Sequence, residues 1–166
     1  MDLIRIGIIS DTHGYLDPML FEYFNECDEI WHAGDIGDAG MIESLQSFRK
    51  FRGVYGNVDG PDIRILLPGE LRFTCGDVDV YLIHIAGYPG HYDRLVREQL
   101  SINPPQLLVA GHSHILKVMY DKKFDLLYVN PGAAGKTGPH LVRTAVRFTV
   151  SSRQIHDLEV IELGNK

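Results

Sequence analysis

The chain has 166 residues, of which 45% are apolar and 23% are charged, close to ordinary globular proportions. These values predict one compact domain over residues 1–166 and exclude a disordered or fibrous chain. The formal net charge of −6 argues against a broad positive surface that follows a nucleic-acid backbone. Nucleic acid is therefore not expected as a bulk partner.

Cysteine usage and the N-terminal segment indicate the compartment. Cys27 and Cys75 are too few for a disulfide framework and lack C-x-x-C spacing, so we interpret them as buried thiols in a reducing cytoplasm. The segment before Asp11 is too short for a cleavable leader, and no apolar run approaches the roughly 20 residues that span a bilayer. We expect a cytoplasmic protein without a membrane partner, and homo-oligomerisation stays open.

Strands alternate with helices in the first part of the chain. Apolar runs predict strands over 4–10, 30–33 and 51–55. Asp17-Pro18 begins a helix that continues through Leu20 and Phe24, and a second helix is predicted over 41–48. Such alternation predicts parallel pairing with right-handed crossovers.

The second part of the chain is richer in strands. The run 63–85 predicts a hairpin with its turn at Cys75-Gly76-Asp77, followed by a helix over 92–100 and a buried strand over 107–110. The runs 114–120, 126–129, 144–150 and 155–163 are interpreted as antiparallel strands. Together, the predicted elements indicate an α/β protein whose two packed sheets form a β-sandwich flanked by helices.

Polar clusters follow the predicted strand ends. They are Asp11-Thr12-His13, Gly34-Asp35, Gly56-Asn57-Val58-Asp59, His84 and Gly111-His112-Ser113-His114. Each cluster alone is a weak signal, because such short motifs occur often in turns. Ligands of open α/β sheets bind beyond the carboxyl ends of strands, so the five clusters together predict one mixed nitrogen and oxygen site.

In this order, the motifs D-x-H, G-D, G-N-x-D, H and G-H-x-H resemble the calcineurin-like metallophosphoesterase superfamily. The short length is similar to its small prokaryotic phosphodiesterase branch and to the retromer scaffold subunit that shares the fold. The resemblance implies an α/β/β/α sandwich. It also implies hydrolysis of a small phosphorylated substrate, a phosphodiester or a phosphomonoester, by attack of a metal-activated water.

The resemblance further implies a binuclear metal centre in which Asp35 is shared. The first metal would be held by Asp11, His13, Asp35 and His114, and the second by Asp35, Asn57, His84 and His112. Among them, Asp35, Asn57 and His112 are the expected catalytic residues. Oxygen and imidazole ligands without thiolate favour two Mn²⁺ ions, with Fe, Zn, Co or Ni as alternatives.

Two positions depart from the family pattern. Val58 stands where larger members of the superfamily usually carry a histidine that protonates the leaving group, so general-acid assistance is expected to be missing. The segment 85–90 replaces the His-Gly sequence common after the histidine at position 84, which leaves substrate selection open. Tyr88 and His91 can line the pocket or be ordinary loop residues, and we favour the loop.

The remaining candidates receive structural interpretations. Asp59 is expected to hydrogen-bond to the site rather than bind metal. The turn Asn130-Pro131-Gly132 resembles a turn that lies near the site in this family, and it is expected to be structural. His32, His140 and His156 fit no ligand spacing, so packing or solvated positions are expected. The alternative function is a protein-binding scaffold without catalysis. A chain that had lost catalysis would be expected to lack some of the metal ligands. Every expected ligand is present here, so the enzyme is favoured.

Overall fold

Strands and helices follow one another through residues 3–166, the part of the chain that the computed structural model describes. In chain order the elements are β1 (Ile4–Ile9), α1 (Met19–Tyr23), β2 (Glu29–His32), α2 (Ala39–Phe48), β3 (Lys50–Gly53), α3 (Pro61–Leu66), β4 (Glu70–Cys75), β5 (Val78–Ile83), β6 (Gly87–Tyr88), β7 (His91–Tyr92), α4 (Arg94–Ile102), β8 (Leu107–Val109), β9 (Leu116–Asp121), β10 (Leu126–Pro131), β11 (Val142–Ser151) and β12 (Gln154–Asn165).

The first sheet has the strand order β12-β11-β1-β2-β3. Its strands β1, β2 and β3 are parallel, with Ile8 opposite Trp31 and Trp31 opposite Arg52. This confirms the pairing predicted from the alternation of strands and helices. The long strands β11 and β12 lie on the side of β1 opposite β2. Strand β11 is antiparallel to β1, and β12 is antiparallel to β11.

The second sheet has the strand order β4-β5-β8-β10-β9. The hairpin of β4 and β5 turns between Cys75 and Val78, as predicted. The strands after residue 114 pair antiparallel with one another as predicted, β9 with β10 and β11 with β12. On its other side β10 pairs in parallel with β8 and places Val129 opposite Val109. Apolar periodicity marks a strand but does not specify its partners, so this long-range pairing was not predicted.

The two sheets pack face to face around the main apolar core. It consists of buried side chains from both inner faces: Ile6, Ile8, Trp31, Val80, Leu82, Leu107, Val109, Val129, Val146, Phe148 and Val150. The Trp31 ring meets the edge of the Phe73 ring from the opposite sheet, with centroids 5.0 Å apart. Burial of this apolar surface is the main favourable contribution to sheet packing.

Helices cover the outer faces of both sheets. Leu20 of α1 and Leu45 of α2 pack with Ile9 on the first sheet, and Val96 of α4 packs with Leu108 on the second. The resulting order of layers, helix, sheet, sheet and helix, confirms the predicted sandwich. Within residues 3–166, none of the helices is long and apolar enough to cross a membrane.

One helix, α3, was predicted as strand. It begins at Pro61, a favourable first helical residue, and buries Ile63 against Ile36 and Met41. Its Ile65 is 83% exposed, so the short segment shows no clean apolar stripe. A brief run of aliphatic residues cannot be assigned to helix or strand by periodicity alone.

Both cysteines are buried free thiols, as predicted. Burial raises the pKa of the Cys27 thiol to about 11 and that of the Cys75 thiol to about 11. Because the thiolate is the reactive form, both side chains are inert packing groups at neutral pH.

Candidate metal centre

The seven predicted metal ligands all follow the carboxyl ends of strands. Asp11 and His13 follow β1, Asp35 follows β2, Asn57 follows β3, His84 follows β5, and His112 and His114 follow β8. Because β1, β2 and β3 are parallel in one sheet and β5 and β8 are parallel in the other, each sheet delivers its ligands at a single end. The structure brings all seven together.

Asp11, His13 and His114 form the first group of ligand atoms, all within 4.8 Å of one another. Asp11 Oδ1 lies 3.1 Å from Nε2 of His114 and 3.8 Å from Nε2 of His13. The two Nε2 atoms are 3.4 Å apart. Three potential ligand atoms therefore face a common point.

Asp35, His84 and His112 form the second group, again within 4.8 Å of one another. His84 Nε2 lies 3.2 Å from Asp35 Oδ2 and 3.1 Å from Asn57 Oδ1. The rings of His84 and His112 meet edge to face with centroids 5.3 Å apart. Asn57 thus adds an amide oxygen to this group.

The two groups adjoin through their carboxylates. Asp35 Oδ2 of the second group lies 3.9 Å from His13 Nε2 of the first, and Asp11 Oδ1 lies 4.0 Å from His84 Nε2. A carboxylate that borders both groups is the arrangement by which two neighbouring metal ions share a ligand.

Backbone strain is concentrated at the site. Five predicted ligands have positive φ angles: Asp11 (52°), His13 (46°), Asp35 (56°), His112 (68°) and His114 (58°). Left-handed conformations of residues other than glycine cost about 1–3 kcal/mol each and cluster at functional sites. Hydrogen bonds between neighbouring strand ends, from Asp11 N to Gly34 O and from His13 N to Asp35 O, help to hold them.

The loop after β3 is built around the Asp35 carboxylate. A Cβ atom at Gly56 would lie 2.0 Å from Asp35 Oδ1, so this position accepts only glycine without a shift. The Val58 backbone N–H donates to the same oxygen at 3.1 Å. Asp59 accepts hydrogen bonds from the backbone N–H groups of Ile36 and Gly56, and so supports the two ligand loops as predicted.

The carboxylates and imidazoles shift one another's pKa values. Burial alone would raise the pKa of Asp11, but the contact with His114 and the charge of His84 hold it below its ordinary value. Burial would likewise raise the pKa of Asp35, and the hydrogen bond with His84 lowers it instead. Burial would lower the pKa of His84, but the same hydrogen bond and the Asp11 charge raise it. Both carboxyl groups are therefore ionised at neutral pH.

The donor set fits divalent metal ions. Asp11 Oδ1 is the buried side-chain oxygen that has no hydrogen-bond partner among residues 3–166, although Asp11 Oδ2 accepts from Ser10 Oγ at 2.6 Å and His112 N at 3.0 Å. Leaving a buried charged acceptor unpaired is costly, and a cation removes that cost. His84 Nδ1 faces the Ala33 carbonyl at 2.7 Å, which directs Nε2 towards Asp35 and Asn57.

Exposure increases from one side of the site to the other. Asp11, Asp35 and His84 are buried, whereas Asn57 and His112 are exposed. The carboxylates thus form the floor of the site, and the amide and one imidazole form the side that is open to solvent. The centre is therefore accessible from this side.

His140 is placed differently from its prediction. It was expected in a packing or solvated position, yet its Nδ1 lies 3.1 Å from Nδ1 of His114, and its Nε2 lies 2.8 Å from the Gly135 carbonyl. Neither motif nor spacing in the sequence indicated this contact. The one signal was that His140 lies in the loop after the Asn130-Pro131-Gly132 turn, which the resemblance placed near the site.

Three other structural predictions hold. His32 is fully buried beneath the site, with Nε2 2.9 Å from Thr12 Oγ1 and Nδ1 accepting from Gly34 N at 3.1 Å. Asn130 closes its turn by accepting from Gly132 N at 3.0 Å. His156 lies on β12 beside Ser151, its Nε2 2.7 Å from Oγ.

Tyr88 and His91 lie in the small ribbon of β6 and β7, opposite one another. Their rings contact each other with centroids 5.0 Å apart, and Lys117 Nζ lies 5.0 Å from the centroid of the Tyr88 ring. The segment interpreted as a loop is thus a short two-stranded ribbon.

Comparison with known proteins defines the class. The family model for the calcineurin-like phosphoesterase superfamily domain matches residues 4–153, and the chain therefore belongs to this superfamily. The family resemblance and the predicted class, a metal-dependent phosphoesterase, are confirmed.

Individual proteins agree with this assignment. A probable metallophosphoesterase of Methanocaldococcus jannaschii is 31% identical over 137 residues, which cover 77% of this chain and 67% of that protein. A solved archaeal phosphodiesterase superposes with a TM-score of 0.76 at 20% identity, over 96% of this chain and all of that one. Vacuolar protein sorting 29 from Cryptosporidium parvum superposes with a TM-score of 0.72 at 17% identity, over 98% of each chain. At these identities the two structures show the shared fold alone.

Proposed function

We propose that the protein is a binuclear metal-dependent phosphodiesterase that acts on small phosphorylated substrates. The observation that carries this proposal is the junction between the two ligand groups, where Asp35 Oδ2 lies 3.2 Å from His84 Nε2 and 3.9 Å from His13 Nε2. One carboxylate thus borders an imidazole of each group. The likeness to the fold of an archaeal phosphodiesterase supports the choice of a diester.

Each residue of the proposed centre has a role. One ion would be held by Asp11, His13, Asp35 and His114, and the other by Asp35, Asn57, His84 and His112. When bound, such ions activate water as a nucleophile and neutralise charge on the phosphoryl oxygens. The oxygen and imidazole donors, without thiolate, favour Mn²⁺ over the alternatives Fe, Zn, Co and Ni.

The open side of the site positions the substrate. Asn57 and His112 are exposed next to the buried carboxylates, so a phosphate group that enters the centre passes between them. The neighbouring Val58 side chain is 59% exposed and offers no proton to a leaving group. Diesters with good leaving groups are therefore the preferred substrates.

We further propose that residues 1–166 act as one domain in the cytoplasm. The two buried free thiols support a reducing compartment. The centre does not require a second chain, because all seven proposed ligands come from one. Homo-oligomerisation is thus independent of the proposed chemistry.

The alternative is a scaffold of the same fold that binds other proteins. The likeness to the fold of vacuolar protein sorting 29 is the observation in its favour. A scaffold has no need to keep a complete set of metal ligands, whereas this chain gathers seven candidate ligands in two adjoining groups. We therefore favour the enzyme.

The test combines metal analysis with hydrolysis. The protein is loaded with Mn²⁺, its metal content per chain is measured, and it is assayed with bis(p-nitrophenyl) phosphate and p-nitrophenyl phosphate. We expect two ions per chain and faster diester hydrolysis, both reduced in Asp35→Asn. The matched control is Asp157→Asn, which changes an exposed carboxylate on β12 whose side chain is 79% exposed. Bound metal without turnover supports the scaffold, and absence of metal binding contradicts the proposed phosphodiesterase.

A further inference from the structure

Behind His114, on the side away from Asp11, lies a second imidazole. His140 Nδ1 is 3.1 Å from Nδ1 of His114, and the two rings meet edge to face with centroids 5.1 Å apart. The other nitrogen of His140, Nε2, lies 2.8 Å from the Gly135 carbonyl oxygen. The three groups form a chain of hydrogen bonds that ends on the backbone.

The carbonyl determines the direction of this chain. A carbonyl oxygen only accepts, so His140 Nε2 carries the proton and donates it to Gly135. In a neutral ring His140 Nδ1 then has a lone pair, which accepts from the Nδ1–H of His114. His114 consequently presents the lone pair of its Nε2, the atom 3.1 Å from Asp11 Oδ1 and 3.4 Å from His13 Nε2.

The second ligand group has the same arrangement in a shorter form. His84 Nδ1 faces the Ala33 carbonyl directly at 2.7 Å, and its Nε2 faces Asp35. In both groups a backbone carbonyl orients a histidine that faces the site. For His114 the carbonyl acts through His140, and that link, unlike the one at His84, can be removed by mutation of a side chain.

The loop that carries His140 is packed tightly against His114. A Cβ atom at Gly138 would lie 2.0 Å from Nδ1 of His114 and 3.2 Å from Nδ1 of His140, and the φ angle of Gly138 is 130°. The backbone N–H of Gly135 donates to the Asp11 carbonyl at 3.1 Å, so the accepting residue is itself anchored to the first ligand group. The position of His140 is therefore fixed by the loop.

We propose that His140 is a positioning residue, which holds His114 in the tautomer and orientation that present Nε2 to a divalent cation. The inference rests on the proposed function in that it takes the group of Asp11, His13 and His114 as a metal site. Loss of a hydrogen-bond partner behind a metal-binding histidine typically lowers metal affinity by about 10–100-fold. The effect belongs to the first ligand group, since His84 is oriented independently.

The experiment uses the full chain and three variants. His140→Ala removes the acceptor, and His140→Asn places an amide oxygen where Nδ1 was. Thr137→Ala is the matched control, because Thr137 is exposed on the same loop. Mn²⁺ affinity is measured by calorimetry, and the tautomer of His114 is read by long-range ¹H–¹⁵N correlations in metal-free protein. The spectra are recorded at pH 8.5, about two units above the ordinary pKa of histidine.

We expect His140→Ala to weaken one class of Mn²⁺ site by about 10–100-fold and to shift His114 from the Nδ1–H to the Nε2–H tautomer. His140→Asn should restore most of both properties, and Thr137→Ala should match the wild type. Unchanged affinity and tautomer in His140→Ala would overturn the inference, as would His140→Asn behaving like His140→Ala while both remain folded by circular dichroism. A wild-type protein that binds no Mn²⁺ contradicts the proposed function, whereas the tautomer comparison still decides the role of His140.

Discussion

Asp35 Oδ2 and His84 Nε2 lie 3.2 Å apart, although they extend from different sheets of the sandwich. Each is fixed on its far side, His84 by the Ala33 carbonyl and Asp35 by the backbone N–H of Val58. Both groups are buried, so their separation depends on how closely the loops after β2, β3 and β5 pack. The centre should therefore be sensitive to substitutions of residues that are not ligands themselves.

Gly56 tests this sensitivity. In Gly56→Ala the added Cβ would lie 2.0 Å from Asp35 Oδ1 and 2.4 Å from Asp35 N, so the carboxylate has to move. We expect a loss of about 1–3 kcal/mol in unfolding free energy, as for other overpacked positions, together with reduced Mn²⁺ binding. Urea unfolding and metal analysis measure the two effects.

The control for this prediction is Gly40→Ala in α2, where the Cβ would lie 3.3 Å from Asp38 Oδ1. There alanine favours the helix, so stability should be unchanged or slightly raised and metal binding should match the wild type. Full metal binding by Gly56→Ala would show that the position of the Asp35 carboxylate is not critical.

With valine at position 58, we expect the rate of hydrolysis to depend on the leaving group. Because no proton donor occupies this exposed position, aryl diesters should be hydrolysed faster as the pKa of the departing phenol falls. In Val58→His the dependence should become shallower, with gains of up to about 100-fold for the poorest leaving groups. Val58→Leu, which adds bulk without a proton donor, should keep the steep dependence. A flat dependence in the wild type would mean that another group donates the proton.

The burial of His32 leads us to expect that the free energy of unfolding depends on pH. Burial lowers the pKa of His32 to about 4, whereas an exposed histidine titrates near 6.5. Because the folded-state pKa lies below the unfolded-state value, the contribution of neutral His32 to the free energy of unfolding is complete above pH 6.5. This contribution is lost as the pH falls through 4. The difference corresponds to about 3 kcal/mol.

The comparison that isolates His32 is with His32→Asn, whose amide oxygen can still accept from Gly34 N. Urea unfolding of both proteins between pH 7 and pH 4 should show a steeper loss of stability in the wild type. His156→Asn, at a side chain that is 38% exposed, should retain the wild-type slope. Parallel profiles for wild type and His32→Asn would show that folding does not lower the pKa of His32.

The sequence was informative where residue type is tied to local geometry. Asp11, Asp35 and Asn57 could be placed in one site because each follows an apolar run whose end faces the same edge of a parallel sheet. The helix α3 could not be predicted, because exposed Ile65 hides its buried face. The contact between His114 and His140 could not be predicted either, since it depends on the course of a loop and leaves no spacing pattern.

The most direct test of the binuclear centre is anomalous diffraction from crystals of the Mn²⁺-loaded protein. We predict two manganese peaks about 3.5–4 Å apart. One should lie beside Asp11, His13 and His114, and the other beside Asn57, His84 and His112, with Asp35 contacting both. A single peak, peaks elsewhere in the molecule, or an Asp35 carboxylate that contacts neither ion would contradict the account.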